Sequence, residues 1–215
     1  MIKTNQQLLE FFESWREKHP HQRDISLQKF RPDESLIWQG DDAGDLFLLI
    51  EGIAKCFIRE ENGREYVLAF LGKGEIVGEV EAVLGSENLS NISALTSIQA
   101  FRIKRAFFEK LLEGNANFNR LILREFAIRL QNTAKRASYQ QTFPAEYKVL
   151  KILSLWEKEE TSLSKADLAD YLALPIRSLN RVLKDLNEKG LLESKGNQLK
   201  ILSKEGIERL MSQHF

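Results

Sequence analysis

Residues 30–103 constrain the fold of this chain most strongly, because short apolar runs alternate there with glycines. The runs recur at intervals of roughly 8–12 residues, and many short strands at that spacing are typical of an all-β barrel or jelly roll. Glycine and an Asn62-Gly63 pair mark the turns between them. We predict strands over residues 35–38, 46–50, 54–58, 65–71 and 92–103.

Helical periodicity flanks this stretch on both sides. Residues 1–30 are predicted to form an N-terminal helical segment, because Leu8, Leu9, Phe12 and Trp15 fall on one face. A short helix is predicted over residues 105–113, ending at Gly114. A longer helix is predicted over residues 118–139, and Pro144 ends that pattern.

The long helix carries apolar residues at alternating spacings of three and four, which is the heptad pattern of a two-stranded coiled coil. We predict that this seam forms a dimer interface, although the stripe could instead pack on the β-domain, and a helix of this length can do both. Thr133, the polar residue within the seam, could set the register of the two helices or reach a ligand. The predicted seam residues are Leu123, Phe126, Leu130, Thr133 and Ala137.

Residues 164–192 read as two short amphipathic helices joined by a tight turn. Ser164 is a good N-cap with Asp167 three residues later, Ala173 is a small residue at the bend, and Pro175 can open the second helix. The inner faces are predicted from helical spacing. They comprise Leu168, Tyr171 and Leu172 in the first helix and Leu179, Val182, Leu183 and Leu186 in the second.

The outer face of the second helix has the residue types that read DNA bases, since Arg pairs with guanine and Asn with adenine. This arrangement predicts a helix-turn-helix, whereas the alternative is a charged, solvated surface. Two short strands around a turn at residues 195–197 predict a wing directly behind it, which makes the DNA-binding interpretation more specific. The outward residues are Ile176, Arg177, Asn180, Arg181 and Lys184.

Composition excludes several classes of protein. Lys and Arg together number 31, as do Asp and Glu, so any attraction to DNA must come from one local face. Cys56 is the only cysteine, which excludes an internal disulfide and a cysteine-based zinc site, and it is either a buried structural thiol or a redox sensor. No apolar run is long enough for a membrane span and no set of catalytic or metal-binding residues is visible, so we expect a cytoplasmic protein that is not an enzyme.

These parts together resemble the Crp/Fnr superfamily of bacterial transcription regulators. The resemblance rests on Gly40, on residues 46–52 (LFLLIEG), on Asn62-Gly63 and on residues 74–79 (GEIVGE), which look like the start of the family's phosphate-binding cassette. It implies an α+β fold with an N-terminal double-stranded β-helix (jelly roll) of the cyclic-nucleotide-binding type. A long dimerisation helix and a C-terminal winged helix-turn-helix complete that fold.

The cassette departs from the family pattern at one position. In nucleotide-binding members, backbone amides and an arginine hold the cyclic phosphate, and the glutamate matching Glu79 takes a ribose hydroxyl. The matching pair here is Leu89-Ser90, and no arginine lies between Arg64 and Arg102. A buried phosphate without a cation is costly, so we expect no cyclic nucleotide, and Gly78 and Glu79 are expected to serve the fold through a turn and a salt bridge.

The other sensors of the superfamily also fit poorly. One cysteine cannot build an iron–sulfur cluster, and no histidine or cysteine is suitably placed to bind haem. The remaining possibilities are a different small molecule in the β-roll or no ligand. A pocket for such an effector would be lined by Val77, Gly78, Glu79, Leu89, Ser90 and Thr133.

The resemblance also assigns roles in DNA binding. Arg181 matches the family arginine that contacts guanine, Arg177 stands where glutamate is usual, and Ile176 can touch a thymine methyl or merely pack. Asn180 lies on the same outward face. The residues expected at backbone phosphates are Ser164, Lys165, Ser178 and Lys184.

The sequence thus predicts a sensor domain over residues 1–117, a dimerisation helix and hinge over 118–141, and a DNA-binding domain over 142–215. The partners implied are double-stranded DNA, a second copy of the chain and RNA polymerase. The leading hypothesis is a homodimeric regulator that responds to a small molecule. The alternatives are a constitutive regulator with a ligand-free roll, and a winged helix that contacts protein instead of DNA.

Overall fold

The computed structural model describes residues 2–155, 164–196 and 198–213, so Asn197 of the predicted wing turn lies outside the described residues. The chain divides into two compact units, with the boundary after Leu130. The first unit is a β-roll with flanking helices, and the second is helical with a small two-stranded sheet.

The β-roll consists of two four-stranded antiparallel sheets. One sheet has the strand order β1-β8-β3-β6 and the other β2-β7-β4-β5. The bounds are β1 Ile25–Phe30, β2 Ser35–Ile37, β3 Leu46–Glu51, β4 Ala54–Arg59, β5 Glu65–Leu71, β6 Ile76–Val77, β7 Asn91–Ala94 and β8 Ile98–Ile103.

Strand β3 is central because both of its faces are buried. Leu46 and Leu48 face an aromatic cluster formed with the helices, whereas Phe47 and Leu49 face the interior between the two sheets. A strand that is buried on both sides requires a continuous apolar run, which explains the uninterrupted LFLLI sequence at residues 46–50. The predicted jelly-roll architecture is confirmed.

Two predictions for the roll are wrong in detail. Residues 25–30 form strand β1 rather than part of a helix, since their backbone pairs with β8 although only Ile25 and Phe30 bury their side chains. The predicted strand over residues 92–103 is two strands, because the chain turns at residues 95–97 and crosses from one sheet to the other.

Four helices accompany the roll. Helix α4 includes the predicted range 118–139 and extends it at both ends to 27 residues. Phe12, Phe108 and Phe118 come from three different helices and meet in one buried cluster, which holds these helices against β3. The bounds are α1 Gln6–Lys18, α2 Glu79–Leu84, α3 Arg105–Gly114 and α4 Ala116–Thr142.

The second unit has its own hydrophobic core, to which the four helices after α4 contribute. The predicted inner faces of the two short helices are confirmed, with Leu168 and Leu172 buried, Tyr171 half-buried, and four residues of the following helix buried. No described helix is long and apolar enough to cross a membrane. The bounds are α5 Ala145–Ser154, α6 Lys165–Tyr171, α7 Ile176–Glu188, β9 Leu192–Lys195, β10 Gln198–Ile201 and α8 Lys204–Ser212.

Candidate functional site

Helix α7 presents one apolar and one polar face. Its apolar face is buried in the core of the second unit, and the antiparallel strands β9 and β10 follow it directly, as predicted for a wing. Its polar side chains recur at intervals of three and four, so they share the opposite face. These exposed residues are Arg177, Asn180, Arg181 and Lys184.

This polar face is open for contact. Within the part of the chain that the structure describes, neither Arg177 nor Arg181 has an ion-pair partner. Lys184 Nζ lies 3.7 Å from Glu188 Oε1, but both side chains are exposed, and such pairs contribute little. Ile176 is 43% exposed at the first turn, and Ser178 is half-buried.

The predicted cap at the start of α6 is confirmed. The backbone N–H of Asp167 donates to Ser164 Oγ at 3.0 Å, and the Ser164 hydroxyl donates to Asp167 Oδ2 at 2.7 Å. A serine hydroxyl has one hydrogen, so this cap already uses the only donor that Ser164 could offer to a phosphate. Lys165, half-buried in the first turn, is the cation at this end of α6.

The turn between α6 and α7 contains backbone strain. Ala173 has a φ of 51°, in the left-handed region that an L-residue enters at a cost of roughly 1–2 kcal/mol. The turn is closed by the backbone N–H of Leu174, which donates to the carbonyl of Ala169 at 2.9 Å. Helix α7 begins at Ile176, one residue after Pro175.

In the first unit, two glycines shape the cassette that follows β5. Gly74 has a φ of 83°, and a Cβ there would lie 1.9 Å from the carbonyl oxygen of Asn5. Gly78 has a φ of 88° and forms the N-cap of α2. The fold therefore requires both glycines, independently of any ligand.

The cassette contains a half-buried cation that the sequence pattern did not predict. Arg129 reaches in from α4, where its Nη1 bonds to Glu79, its Nη2 lies 3.1 Å from Glu75 Oε2, and its Nε lies 3.0 Å from Glu125 Oε1. Its Nη2 also donates to the carbonyl of Ile76 at 2.9 Å. The salt bridge predicted for Glu79 is thus confirmed, and its partner is Arg129.

Residues near the N-terminus complete this cluster. Lys3 forms a backbone bridge with Leu71. Asn5 caps α1 by accepting from the N–H of Leu8, and its Nδ2 donates to Glu125 Oε2 at 2.7 Å. We call Lys3, Glu75, Glu79, Glu125 and Arg129 the cassette cluster.

Burial and neighbouring charges oppose one another at several members of the cassette cluster. Burial raises the pKa of Glu75 and Glu79 even though Arg129 pulls in the other direction. Burial also lowers the pKa of Lys3, with the repulsion of Arg129 as the second cause. Burial alone would lower the pKa of Arg129, but the three carboxylates hold it above its ordinary value.

The rest of the cassette is also internally bonded. The backbone N–H of Leu89 donates to Glu81 Oε1 at 3.2 Å, and Ser90 Oγ lies 3.3 Å from Cys56 Sγ. Burial raises the pKa of the Cys56 thiol to about 11, which favours a structural thiol over a reactive one. The Leu89 side chain is 61% exposed.

The predicted effector pocket draws its residues from both units, and it remains a prediction. Val77, Gly78 and Glu79 adjoin one another in the cassette, and Val77 and Glu79 are buried. Thr133 is exposed and belongs to the second unit. Its proposed contact with a ligand remains a prediction.

Helix α4 both packs against the roll and exposes an apolar stripe. Phe126, predicted in the dimer seam, is half-buried against the aromatic core, because it follows the buried Ile122 by four residues. Leu123 and Leu130 are 63% and 72% exposed. Thr133 and Ala137 of the predicted seam are exposed as well, so Phe126 is its one half-buried member, and the seam remains a prediction. We call the exposed apolar residues of this face the exposed stripe, and they are Leu123, Ala127, Leu130, Ala134 and Ala137.

Arg129 could have been found from its position on α4. It follows Phe126 by three residues and Ile122 by seven, so it lies on the buried side of the helix, where a charged residue requires a partner. Its carboxylate partners come from distant parts of the chain, and no sequence spacing signals them. Among the described residues, no group of three or more potential ligands could hold a metal ion.

Comparison with known proteins identifies both parts of the chain. A cyclic nucleotide-binding domain matches residues 27–115, and a Crp-like helix-turn-helix domain matches residues 149–210. The CRP-like protein Clp of Xanthomonas campestris pv. campestris is 27% identical over 199 residues, which cover 85% of this chain and 82% of that protein. The cAMP-activated global transcriptional regulator CRP of Salmonella typhimurium is 21% identical over 184 residues, covering 80% and 88%.

Solved structures show the same fold. The c-di-GMP responsive global regulator CLP of Xanthomonas campestris superposes with a TM-score of 0.76 at 20% identity, covering 93% of this chain and all of that one. FixK2 from Bradyrhizobium japonicum superposes with a TM-score of 0.75 at 19% identity, covering 86% of this chain and 96% of that one.

Fold and site together define a DNA-binding transcription regulator with a cyclic-nucleotide-binding type of roll and a Crp-like helix-turn-helix. The chain belongs to the Crp/Fnr family, whose members are transcription regulators and not enzymes.

Proposed function

We propose that the protein is a homodimeric regulator that reads a two-fold symmetric DNA operator with helix α7 in the major groove. The observation that carries this proposal is the exposed polar face of α7, on which Arg177 and Arg181 have no ion-pair partner among the described residues. Arg181 would contact guanine and Asn180 adenine, with Arg177 and Ile176 setting the specificity of this protein. Lys165, Ser178 and Lys184 would contact backbone phosphates, and Ser164 would do so when its cap opens.

The exposed stripe on α4 supports the dimer. Two leucines that are more than half exposed on one helix face leave apolar surface in contact with water. The heptad spacing of the stripe suits a second copy of the same helix. A two-fold axis along this contact would place the two α7 helices roughly 34 Å apart, which is one turn of DNA.

We further propose that cAMP is not the effector. The carboxylate of Glu79 is bonded to Arg129, and the backbone amide of Leu89 is bonded to Glu81. A cyclic nucleotide would have to displace both contacts. Position 89 is leucine, so it cannot supply the positive charge that would compensate the phosphate. The effector in this proposal is therefore a small molecule of different chemistry.

A second candidate function is a constitutive regulator with no effector. It is favoured by the cassette cluster itself, in which each carboxylate contacts Arg129. In this case the cassette would hold α4 in place without a ligand, and DNA binding would be insensitive to metabolites.

Selection of bound DNA from a random pool, with and without a cell metabolite extract, tests the proposal. We expect a palindromic sequence to be enriched, and Arg181→Ala should relax the preference at one base by about 1–3 kcal/mol. Lys184→Ala, on the same face, should weaken binding to all sequences and reduce the salt dependence instead. Failure to enrich any sequence would refute the DNA-reading assignment.

Calorimetry tests the exclusion of cAMP, and DNA binding with and without metabolite extract separates the two candidate functions. The probes are cAMP and cyclic di-GMP, because the CRP and CLP relatives are described by their response to these nucleotides. We expect no heat of binding for either nucleotide. Binding of cAMP that is lost in Glu79→Gln would overturn the assignment, and DNA binding that changes with metabolite extract would refute the constitutive candidate.

A further inference from the structure

We propose that two residues near the end of α4, Arg136 and Gln140, hold Tyr171 in place. By doing so they determine which spacing between the two operator half-sites the dimer binds. We call these three residues the Tyr171 clamp. The inference rests on the proposed DNA-reading dimer, and it assigns to these residues a positioning role rather than contact with DNA.

The clamp consists of two contacts on one residue. The guanidinium carbon of Arg136 lies 4.7 Å from the centroid of the Tyr171 ring, and Gln140 Nε2 donates to the Tyr171 carbonyl at 2.8 Å. Arg136 is only 6% exposed, and an arginine is seldom buried unless its guanidinium has partners. Arg136 and Gln140 are four residues apart, so they extend from the same face of α4.

Tyr171 is the last residue of α6, where backbone carbonyls commonly take partners from outside the helix. The three preceding carbonyls accept backbone amides of the turn. Gln140 therefore satisfies the remaining carbonyl at the point where the chain leaves α6. Two residues later Ala173 adopts its left-handed conformation, and α7 begins at Ile176. The clamp thus holds the chain directly before the turn that orients α7.

The same part of α4 carries two residues of the exposed stripe, Ala134 and Ala137. Its stripe face would meet the second copy, while its clamp face holds the helix-turn-helix. The direction of each α7 relative to the dimer axis would then follow from the clamp. Because each base pair advances DNA by roughly 3.4 Å and rotates it by roughly 34°, a small change in this direction alters which half-site spacing fits.

The test uses the full-length protein and the operator that the wild type selects from a random pool. Affinity is measured for this operator and for versions whose central spacer is one base pair shorter or longer. The variants Arg136→Met and Gln140→Met remove the clamp contacts. The matched controls are Lys135→Met and Gln141→Met, which change exposed neighbours on the same helix.

We expect the wild type and both controls to prefer the native spacer by about tenfold or more, which is the discrimination that about 1.4 kcal/mol provides. In the clamp variants the preference should fall to about threefold or less, while binding to an isolated half-site is unchanged.

Two results would overturn the clamp. One is an unchanged spacer preference in both clamp variants. The other is a loss of affinity that is equal for every spacer and for the isolated half-site, since this would indicate a damaged turn rather than a misdirected helix. If the wild type itself selects no sequence, the proposed function fails first and the clamp fails with it.

Discussion

Replacement of Arg129 by methionine tests whether the cassette cluster stabilises the β-roll. Arg129 contacts three carboxylates, of which Glu75 and Glu79 are 2% and 1% exposed. Removing one partner of a buried ion pair costs about 3–5 kcal/mol, because the other charge stays buried without compensation. Three carboxylates are affected, and Lys3 is then the one cation left in the cluster. We therefore expect the free energy of unfolding to fall by about 4–5 kcal/mol at pH 7.5.

This loss of unfolding free energy should be smaller at lower pH. Without Arg129, the folded-state pKa values of Glu75 and Glu79, which burial already raises, should rise further above the unfolded value. A carboxyl with a raised pKa binds more protons in the folded state, so stability increases as the pH falls toward the unfolded pKa. If one proton is taken up, the loss should shrink by about 2–3 kcal/mol between pH 7.5 and pH 5.5.

Urea unfolding followed by tryptophan fluorescence measures this effect. A Trp156→Phe background leaves Trp15 and Trp38, both in the first unit, as the reporters. The matched control is Arg124→Met, since Arg124 is an exposed residue of the same helix that bonds only to Gln7 among the described residues, at 3.1 Å. We expect this control to lose about 0.5 kcal/mol or less.

The double variant Arg129→Met, Glu79→Gln should recover part of the stability, because it removes one uncompensated charge. The reasoning is refuted if Arg129→Met costs no more than Arg124→Met, or if its cost is the same at both pH values.

Three further predictions concern other features. Ala173→Gly should raise the free energy of unfolding of the second unit, measured by thermal denaturation, by about 0.5–1.5 kcal/mol, because glycine adopts the left-handed conformation without strain. Ala166→Gly, on the exposed side of α6, should lower it by about 1 kcal/mol. Leu130→Glu should convert the dimer to a monomer in analytical ultracentrifugation, and Ile128→Glu, which lies off the stripe and is 42% exposed, should not. Burial raises the pKa of Glu75, so its ionisation destabilises the fold as the pH rises; Glu75→Gln should flatten the decline of unfolding free energy between pH 5 and pH 8, and exposed Glu60→Gln should leave that decline in place.

Elements with strong periodicity were predictable from the sequence. Helix α7 was identified with its buried and exposed faces, because the spacing of Leu179 to Leu186 leaves only one way to orient the helix. The roll followed from its glycine-punctuated strands. Strand β1 was missed because only Ile25 and Phe30 bury their side chains, so its pairing with β8 leaves little apolar pattern.

The cassette cluster was not predictable as a site. Its members range from Lys3 to Arg129, and their meeting depends on how the N-terminal segment, the cassette and α4 pack together. Position on the helix could have shown that Arg129 lies on the packed side of α4, but not which carboxylates surround it. Sequence comparison with nucleotide-binding relatives directs attention to Leu89, where an arginine is missing, and away from α4, where one is present.

The way in which the N-terminal segment is attached to the roll has a practical consequence for handling the protein. The N–H of Lys3 donates to the carbonyl of Phe70 and that of Asn5 to the carbonyl of Lys73, each at 3.0 Å. An affinity tag or cleavage scar fused ahead of Met1 would therefore lie three residues from Lys3, a half-buried member of the cassette cluster. Purification tags belong at the other end of the chain, and any ligand screen done with an N-terminal fusion should be repeated after its removal.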